Sequence, residues 1–165
     1  MKAGGGARKG GAFERKCARM LSSWYYNSPE YLWRRSGNGN IKSIGGRRHT
    51  GDIVPLADSP LPSPFPFHIQ LKHLRKKDLK LDKLLTSKNH PIVKIWNKEY
   101  EEKRSDLKLM LLVRANNTPI MVVVDLNSFY IDLPDNIPRT VIPIDDKLLA
   151  VMPWESVKDA IRSSC

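Results

Sequence analysis

Cysteine is nearly absent from the chain. Of 165 residues only Cys17 and Cys165 are cysteines. They lie far apart, and neither has a second ligand at metal-binding spacing. A zinc site of the common kinds is therefore not expected, and no disulfide framework is implied. Cysteine usage of this kind suits a reducing cytoplasm, which is the expected location. Cys17 reads most simply as a small apolar residue on a helix. Long apolar runs are also missing, so no membrane span is expected. The N-terminal segment MKAGGGARKGG is basic but carries no apolar h-region, so it does not read as a secretory signal. Residues 1–11 read instead as a flexible basic arm, followed by a single domain over 12–165. Finally, acidic residues are scarce: 17 Asp and Glu stand against 28 Lys and Arg, a formal net charge of +11.

An excess of that size points to a polyanionic partner, most often nucleic acid. The charge is unevenly placed. Residues 1–104 hold 22 Lys and Arg and 9 Asp and Glu, whereas residues 105–165 hold 6 and 8. The front of the chain is thus the expected anion-binding part and the back the scaffold. The basic residues build no amphipathic helix with a bulky apolar face, which argues against a membrane-surface role.

With a hydrophobic content of 41%, the chain can bury one real core. Residues 12–26 carry Phe13, Cys17, Met20, Leu21 and Trp24 at three- and four-residue steps, which predicts a helix with Glu14 at the stripe's margin. A short apolar-basic piece, YLWRRS, leads into SGNGNIKSIGGRRHTG, a loop or hairpin turn by its Gly and Asn content. DIVPL and FHIQLKH read as strands joined by the proline-rich ADSPLPSPFP, which cannot be helix. If that segment turns the chain back as a hairpin, Asp52 and Lys72 sit on neighbouring strands. Residues 75–89 read as a basic short helix or helical loop, and 90–104 as a better helix. LKLMLLVRA and IMVVVDL, split by NNTP, predict a central hairpin. RTVIPI is a short strand, and a last helix begins near Pro153. The order of elements gives an α/β fold with a mixed sheet flanked by helices.

In FHIQLK, period-two alternation places Phe67, Ile69 and Leu71 on one face and His68, Gln70 and Lys72 on the other. This is either a strand with one wet side or a catalytic strand. Phosphodiester cleavage needs oxygen ligands for a hard cation, since Mg²⁺ takes about six of them. That cation supplies hydroxide near neutral pH, and a neighbouring lysine can orient the water or stabilise the transition state. Glu14, Asp52 and Lys72, in the most basic part of the chain, could supply these groups. His68 is read as a structural or DNA-facing neighbour, since imidazole suits such a site poorly.

The order Glu14, then Gly51-Asp52, then Gln70-Leu71-Lys72 resembles the PD-(D/E)XK nuclease superfamily. The segments GGAFERKCARMLSSW, WRRSGNGN, GDIVPL and HIQLKH are most similar to Holliday junction resolvases of the archaeal Hjc type and their phage relatives. The resemblance covers roughly residues 10–125. It implies a restriction-endonuclease-like fold and a Mg²⁺-dependent DNA endonuclease, with Mn²⁺ able to substitute. Asp52 would be the principal metal carboxylate and Glu14 would complete the shell. Gln70 and the Leu71 carbonyl would be further oxygen ligands, and Lys72 would position the attacking water. Ser36 and the Gly-Asn loop match the segment that such enzymes place near the scissile phosphate. Gln70 stands where the family pattern has an acid, and Gly51 replaces the usual proline; the second departure reads as minor. Arg15, Arg34, Arg35, Arg47, Arg48, Arg75, Lys76 and Lys77 are candidate phosphate contacts on branched or duplex DNA. Symmetric nicking of a four-way junction further implies a two-fold homodimer. The alternatives are another nicking or repair nuclease of the superfamily, or a catalytically inactive DNA-binding protein with this fold.

Overall fold

A computed structural model describes residues 5–34, 51–56, 65–80, 89–103, 105–129, 133 and 135–163, with the side chains of residues 5–9 and Trp33 left aside. Helix α1 spans Gly5–Tyr26 and leads into strand β1, Leu32–Arg34. Strands β2 (Ile53–Pro55) and β3 (Phe67–His73) follow, then a 3₁₀ turn at Lys76–Leu79 and helix α2, Pro91–Glu102. Strands β4 (Lys108–Arg114) and β5 (Met121–Asp125) precede the single-turn helix α3, Leu126–Phe129. Strands β6 (Thr140–Ile144) and β7 (Lys147–Pro153) and helix α4 (Trp154–Ser163) complete the described part.

The strands form one mixed sheet in the order β1-β2-β3-β4-β5-β7-β6. Only β3 and β4 pair in parallel, Phe67 opposite Lys108 through His73 opposite Arg114. Their connection carries α2, as a parallel crossover requires. All other neighbours are antiparallel. This is the expected α/β mixed sheet with flanking helices, consistent with a restriction-endonuclease-like core.

The central strands are apolar on both sides, because helices cover both faces. Met110, Leu112, Val122, Val124, Ala150 and Met152 pack with α1 and α4. Leu109, Leu111, Val113, Val123, Leu149 and Val151 pack with Ile92, Val93 and Trp96 of α2. On α1 four residues of the predicted stripe, Phe13, Cys17, Leu21 and Trp24, are buried against the sheet, and Met20 is half-buried at its edge. Burial pushes the Cys17 thiol up to about 12, so it is inert as a nucleophile. The Trp24 indole stacks edge-on against Trp154 at 5.1 Å and donates to the Lys158 carbonyl at 2.8 Å, which fastens α1 to α4. The aromatics Trp24, Tyr25 and Tyr26 join this core and do not form a stacking surface. Asn27, at φ 58°, ends α1 in the left-handed conformation common just past helix ends. The buried Ser22 hydroxyl donates to Ser28 O and accepts from Tyr31 N and Leu32 N, and so ties the turn into β1.

Three expectations change. The helix begins at Gly5, not Ala12, so the arm read over 1–11 is partly helical. Ala7, Arg8 and Lys9 are good helix formers, and adding turns to an existing helix fixes one residue per bond gained. Strand β7 was not anticipated; its run KLLAVMP is buried on both faces, so it lacks the alternation that marks a half-exposed strand. Of the basic stretch 75–89, the described part holds only a 3₁₀ turn, and residues 81–88 fall outside the described residues.

Gly51 sits at φ +103°, and a Cβ there would lie 2.6 Å from the Ile69 carbonyl oxygen. Gly51→Ala is therefore expected to destabilise the fold by roughly 1–3 kcal/mol, measured by urea unfolding. A variant as stable as the parent would show that this contact is not tight.

Candidate active site

The candidate site begins at the junction of β2 and β3. Ile53 pairs with Ile69, which brings Asp52 alongside Gln70 and Leu71. Asp52 N donates to Ile69 O at 2.7 Å, and Leu71 N donates to Asp52 Oδ2 at 2.8 Å. Backbone and side chain of Asp52 are thus both anchored on β3. The residue before it must pass against Ile69 at positive φ, which proline cannot adopt because its ring fixes φ near −65°. Glycine at position 51 is therefore not a minor departure from the family pattern; this geometry needs it.

Burial raises the Asp52 pKa above the usual carboxylate range. The Leu71 N–H and the Lys72 charge pull it down, while the Glu14 and Glu99 charges push it up. Glu14 from α1 and Lys72 from β3 therefore act on the same carboxylate. Glu14 also pairs with Arg34 of β1, at 3.4 Å from Nη1 to Oε2, with both side chains about one-third exposed. Lys72 has no ion-pair partner among the described residues.

The wet-strand reading of β3 fails. His68 and Gln70 are 1% and 6% exposed. Their face lies against α2, and the strand is internal to the sheet. The Gln70 side-chain amide has no hydrogen-bond partner among the described residues, although the residue is buried beside Asp52. His68 is paired inside the fold: its Nε2 lies 3.3 Å from Glu99 Oε2. Burial lowers the imidazole pKa, and the Glu99 carboxylate opposes that shift.

Sequence reading missed Glu99. The signal was present, because Ile92, Trp96 and Glu99 follow the spacing of one helix face. All three are buried. A carboxylate on an otherwise apolar stripe needs a partner in the sheet, and His68 supplies it.

The candidate phosphate contacts divide. Arg15, Lys76 and Lys77 are exposed. Arg75 is exposed but bonded to Asp78, Nε to Oδ2 at 2.6 Å. Arg34 is held by Glu14. Arg35, Ser36, Arg47 and Arg48 lie outside the described residues, as does the Gly-Asn loop. Among the described residues no three His, Cys, Asp or Glu side chains gather into a metal-binding group. A cation here would draw on Asp52 and Glu14 together with neutral oxygens, the Gln70 amide and the Leu71 carbonyl. All of these are oxygen donors of the kind a hard cation prefers.

Two outcomes follow from the charges. Above its raised pKa, ionised Asp52 weighs against folding, so Asp52→Asn is expected to raise the unfolding midpoint in chelator at neutral pH. That gain disappears once the pH is low enough to protonate Asp52 in both states. An unchanged or lower midpoint would contradict a desolvated carboxylate. Glu99→Ala removes the carboxylate from buried His68, at a cost of about 1–3 kcal/mol. For His68 the sign is opposite to that of Asp52. Its folded pKa is lowered, so stability falls as pH drops below the ordinary imidazole value of 6.5. Loss of Glu99 lowers that pKa further, so the acid-side decline should continue to lower pH in the variant, as read by unfolding at a series of pH values.

Comparison with known proteins gives one family. Residues 6–155 match the family described as "Phage putative PDDEXK endonuclease". Among curated proteins and solved structures nothing matches. The family match covers most of the chain and includes Glu14, Asp52, Gln70 and Lys72, and the chain therefore belongs to the phage PDDEXK endonuclease family.

Proposed function

We propose that the chain is a Mg²⁺-dependent DNA endonuclease that nicks four-way junctions as a homodimer. Membership of an endonuclease family supplies the reaction class and DNA as substrate. The observation that carries the metal-dependent reading is the convergence on Asp52. A half-buried carboxylate with raised pKa is acted on by Glu14 from a helix and by Lys72 from the adjoining strand. A desolvated acid with specific charge partners is a candidate functional group.

In this reading Asp52 and Glu14 hold the cation with the Leu71 carbonyl and the Gln70 amide oxygen. When bound, the cation supplies a nucleophilic hydroxide near neutral pH and offsets charge on the phosphate. Leu71 N–H fixes the orientation of the Asp52 carboxylate. Arg34 balances Glu14 and holds it at the edge of the site. Lys72 orients the attacking water and stabilises the developing phosphorane charge. Junction choice rests on shape and backbone charge, which suits a front region rich in Lys and Arg. Gln70 leaves the site one negative charge short of the usual pattern. That favours the second reading, a DNA binder without activity.

The decisive assay compares a synthetic four-way junction with linear duplex of the same sequence, in Mg²⁺ or Mn²⁺ and in chelator. Metal-dependent, symmetric nicking of the junction is the expected result. Asp52→Asn should abolish it, and Lys72→Ala should lower the rate by about 10²–10³-fold. Both variants should keep junction affinity. Equal cleavage of linear duplex would remove the junction assignment, and binding without cleavage in either metal would favour the inactive binder. Loss of affinity in step with loss of cleavage would remove the catalytic roles of both residues.

A further inference from the structure

Beside the candidate site a cleft of ≈ 340 Å³ opens between the middle turns of α1 and the ends of β3 and β4. Its lining includes Phe13, Lys16, His73, Arg114, Asn116 and Asn117. In the chain Phe13 precedes Glu14 and His73 follows Lys72, with the His73 ring on the α1 face of β3, opposite to that of Lys72. The floor is fixed. The His73 ring meets Phe13 edge-on at 6.1 Å, and His73 pairs with Arg114 across the parallel strands. The far rim is the β4–β5 turn. Thr118 Oγ1 clamps it by accepting from Ala115 N at 2.9 Å and donating to Ala115 O at 3.1 Å. Asn117 occupies the left-handed conformation there, at φ 59°. The clamped turn thus holds two exposed amide side chains at a set place.

The charge in this cleft is one-sided. No carboxylate lines it. Neither Lys16 nor Arg114 has an ion-pair partner among the described residues, whereas Arg34, Arg75, Lys98, Arg139, Lys147 and Lys158 are all paired. Both unpaired cations act on Cys17 beneath the cleft, as does Glu14. A recess with a guanidinium, an ammonium, an imidazole and two amides, and no acid, suits a phosphodiester group.

We infer that this cleft binds a backbone phosphate of the DNA substrate, adjacent to the phosphate being cut, through Lys16 and Arg114 with the Asn116 and Asn117 amides. The cleft would set the register of the strand, so that the scissile phosphate falls on Asp52 and Lys72. It carries no sequence readout, because it contacts backbone and not base edges.

The inference rests on DNA as the substrate, and the test separates the two. Binding of the full chain to fluorescein-labelled DNA is measured by anisotropy, in chelator, between about 50 and 200 mM salt. Lys16→Gln and Arg114→Gln should each reduce the slope of log K against log salt by about 1, and weaken binding roughly five- to tenfold near 0.1 M salt. The loss should be alike for DNA of different sequence. Arg114→Lys should retain most of the slope, and Lys98→Gln, on the exposed face of α2, all of it. Urea midpoints near the parent value show that the variants fold. Lys16 is exposed on a helix, so it keeps the test valid should Arg114→Gln prove unstable. If the parent chain binds DNA and both Gln variants keep its slope and affinity, the cleft is no phosphate site, whatever the cleavage assay shows. If the parent fails to bind DNA at all, the cleft and the endonuclease reading fall together.

Discussion

The close backbone contact of Gly51 and Asp52 with Ile69 and Leu71 is the constraint on which the site depends. Strand β2 has three residues and a single register pair with β3, so its own ladder holds it weakly. Two hydrogen bonds, Asp52 N to Ile69 O and Leu71 N to Asp52 Oδ2, add the missing precision. They form only because position 51 has no Cβ to strike the Ile69 carbonyl. On the other side β3 is locked to β4 over seven residue pairs. The carboxylate is thus referred to the most rigid part of the sheet, although it comes from a short edge-side strand. Held this way the carboxylate is half-buried, and that partial loss of water raises its pKa.

Most of the fold was legible in the chain. The stripe of α1, the hairpin of β4 and β5, and the strand at Thr140–Ile144 all follow from periodicity or turn residues. What escaped had a common physical origin. Strand β7 and the polar face of β3 are buried on both sides, and burial on both sides erases the alternation that distinguishes strand from loop and wet face from dry. The candidate site was legible as a set of residue types in order. Its geometry was not. Nothing in the spacing of Glu14 shows that Arg34 pairs with it, and nothing local to His68 shows that Glu99 reaches it from 31 positions away. Such pairings are decided by how helices dock on the sheet, which is a property of the whole core.

The two faces of β3 divide the labour of the domain. Phe67, Ile69 and Leu71 join the apolar core under α1 and α4. His68, Gln70 and Lys72 put three polar groups opposite α2, where β4, β5 and β7 present apolar side chains. Buried polar groups are costly unless bonded. His68 is bonded to Glu99, whereas the Gln70 side-chain amide has no partner among the described residues, and Lys72, at the strand's end, reaches the surface. Exposure therefore increases along this face of the strand, from the buried, paired imidazole at position 68 to the half-buried ammonium at position 72. The neutral amide at position 70 also has an electrostatic rationale. Asp52 already feels two further carboxylates, Glu14 and Glu99, and a third acid beside it would add to the repulsion that raises its pKa.

Helix α1 couples the candidate site to the neighbouring basic cleft through its packing. Phe13 and Cys17 are buried one turn apart, and they leave Glu14 and Lys16 on the flanks of the same turn. The acid on one flank acts on Asp52, and the cation on the other lines the neighbouring cleft. Neither can move without the apolar pair between them, which is pressed onto the sheet together with Leu21 and Trp24. A shift of α1 along the sheet would displace Glu14 and Lys16 together, whereas Asp52 and Arg114 would stay with the sheet. This makes the hydrophobic stripe, and not the charged side chains themselves, the part of α1 that fixes where Glu14 and Lys16 stand relative to Asp52 and Arg114.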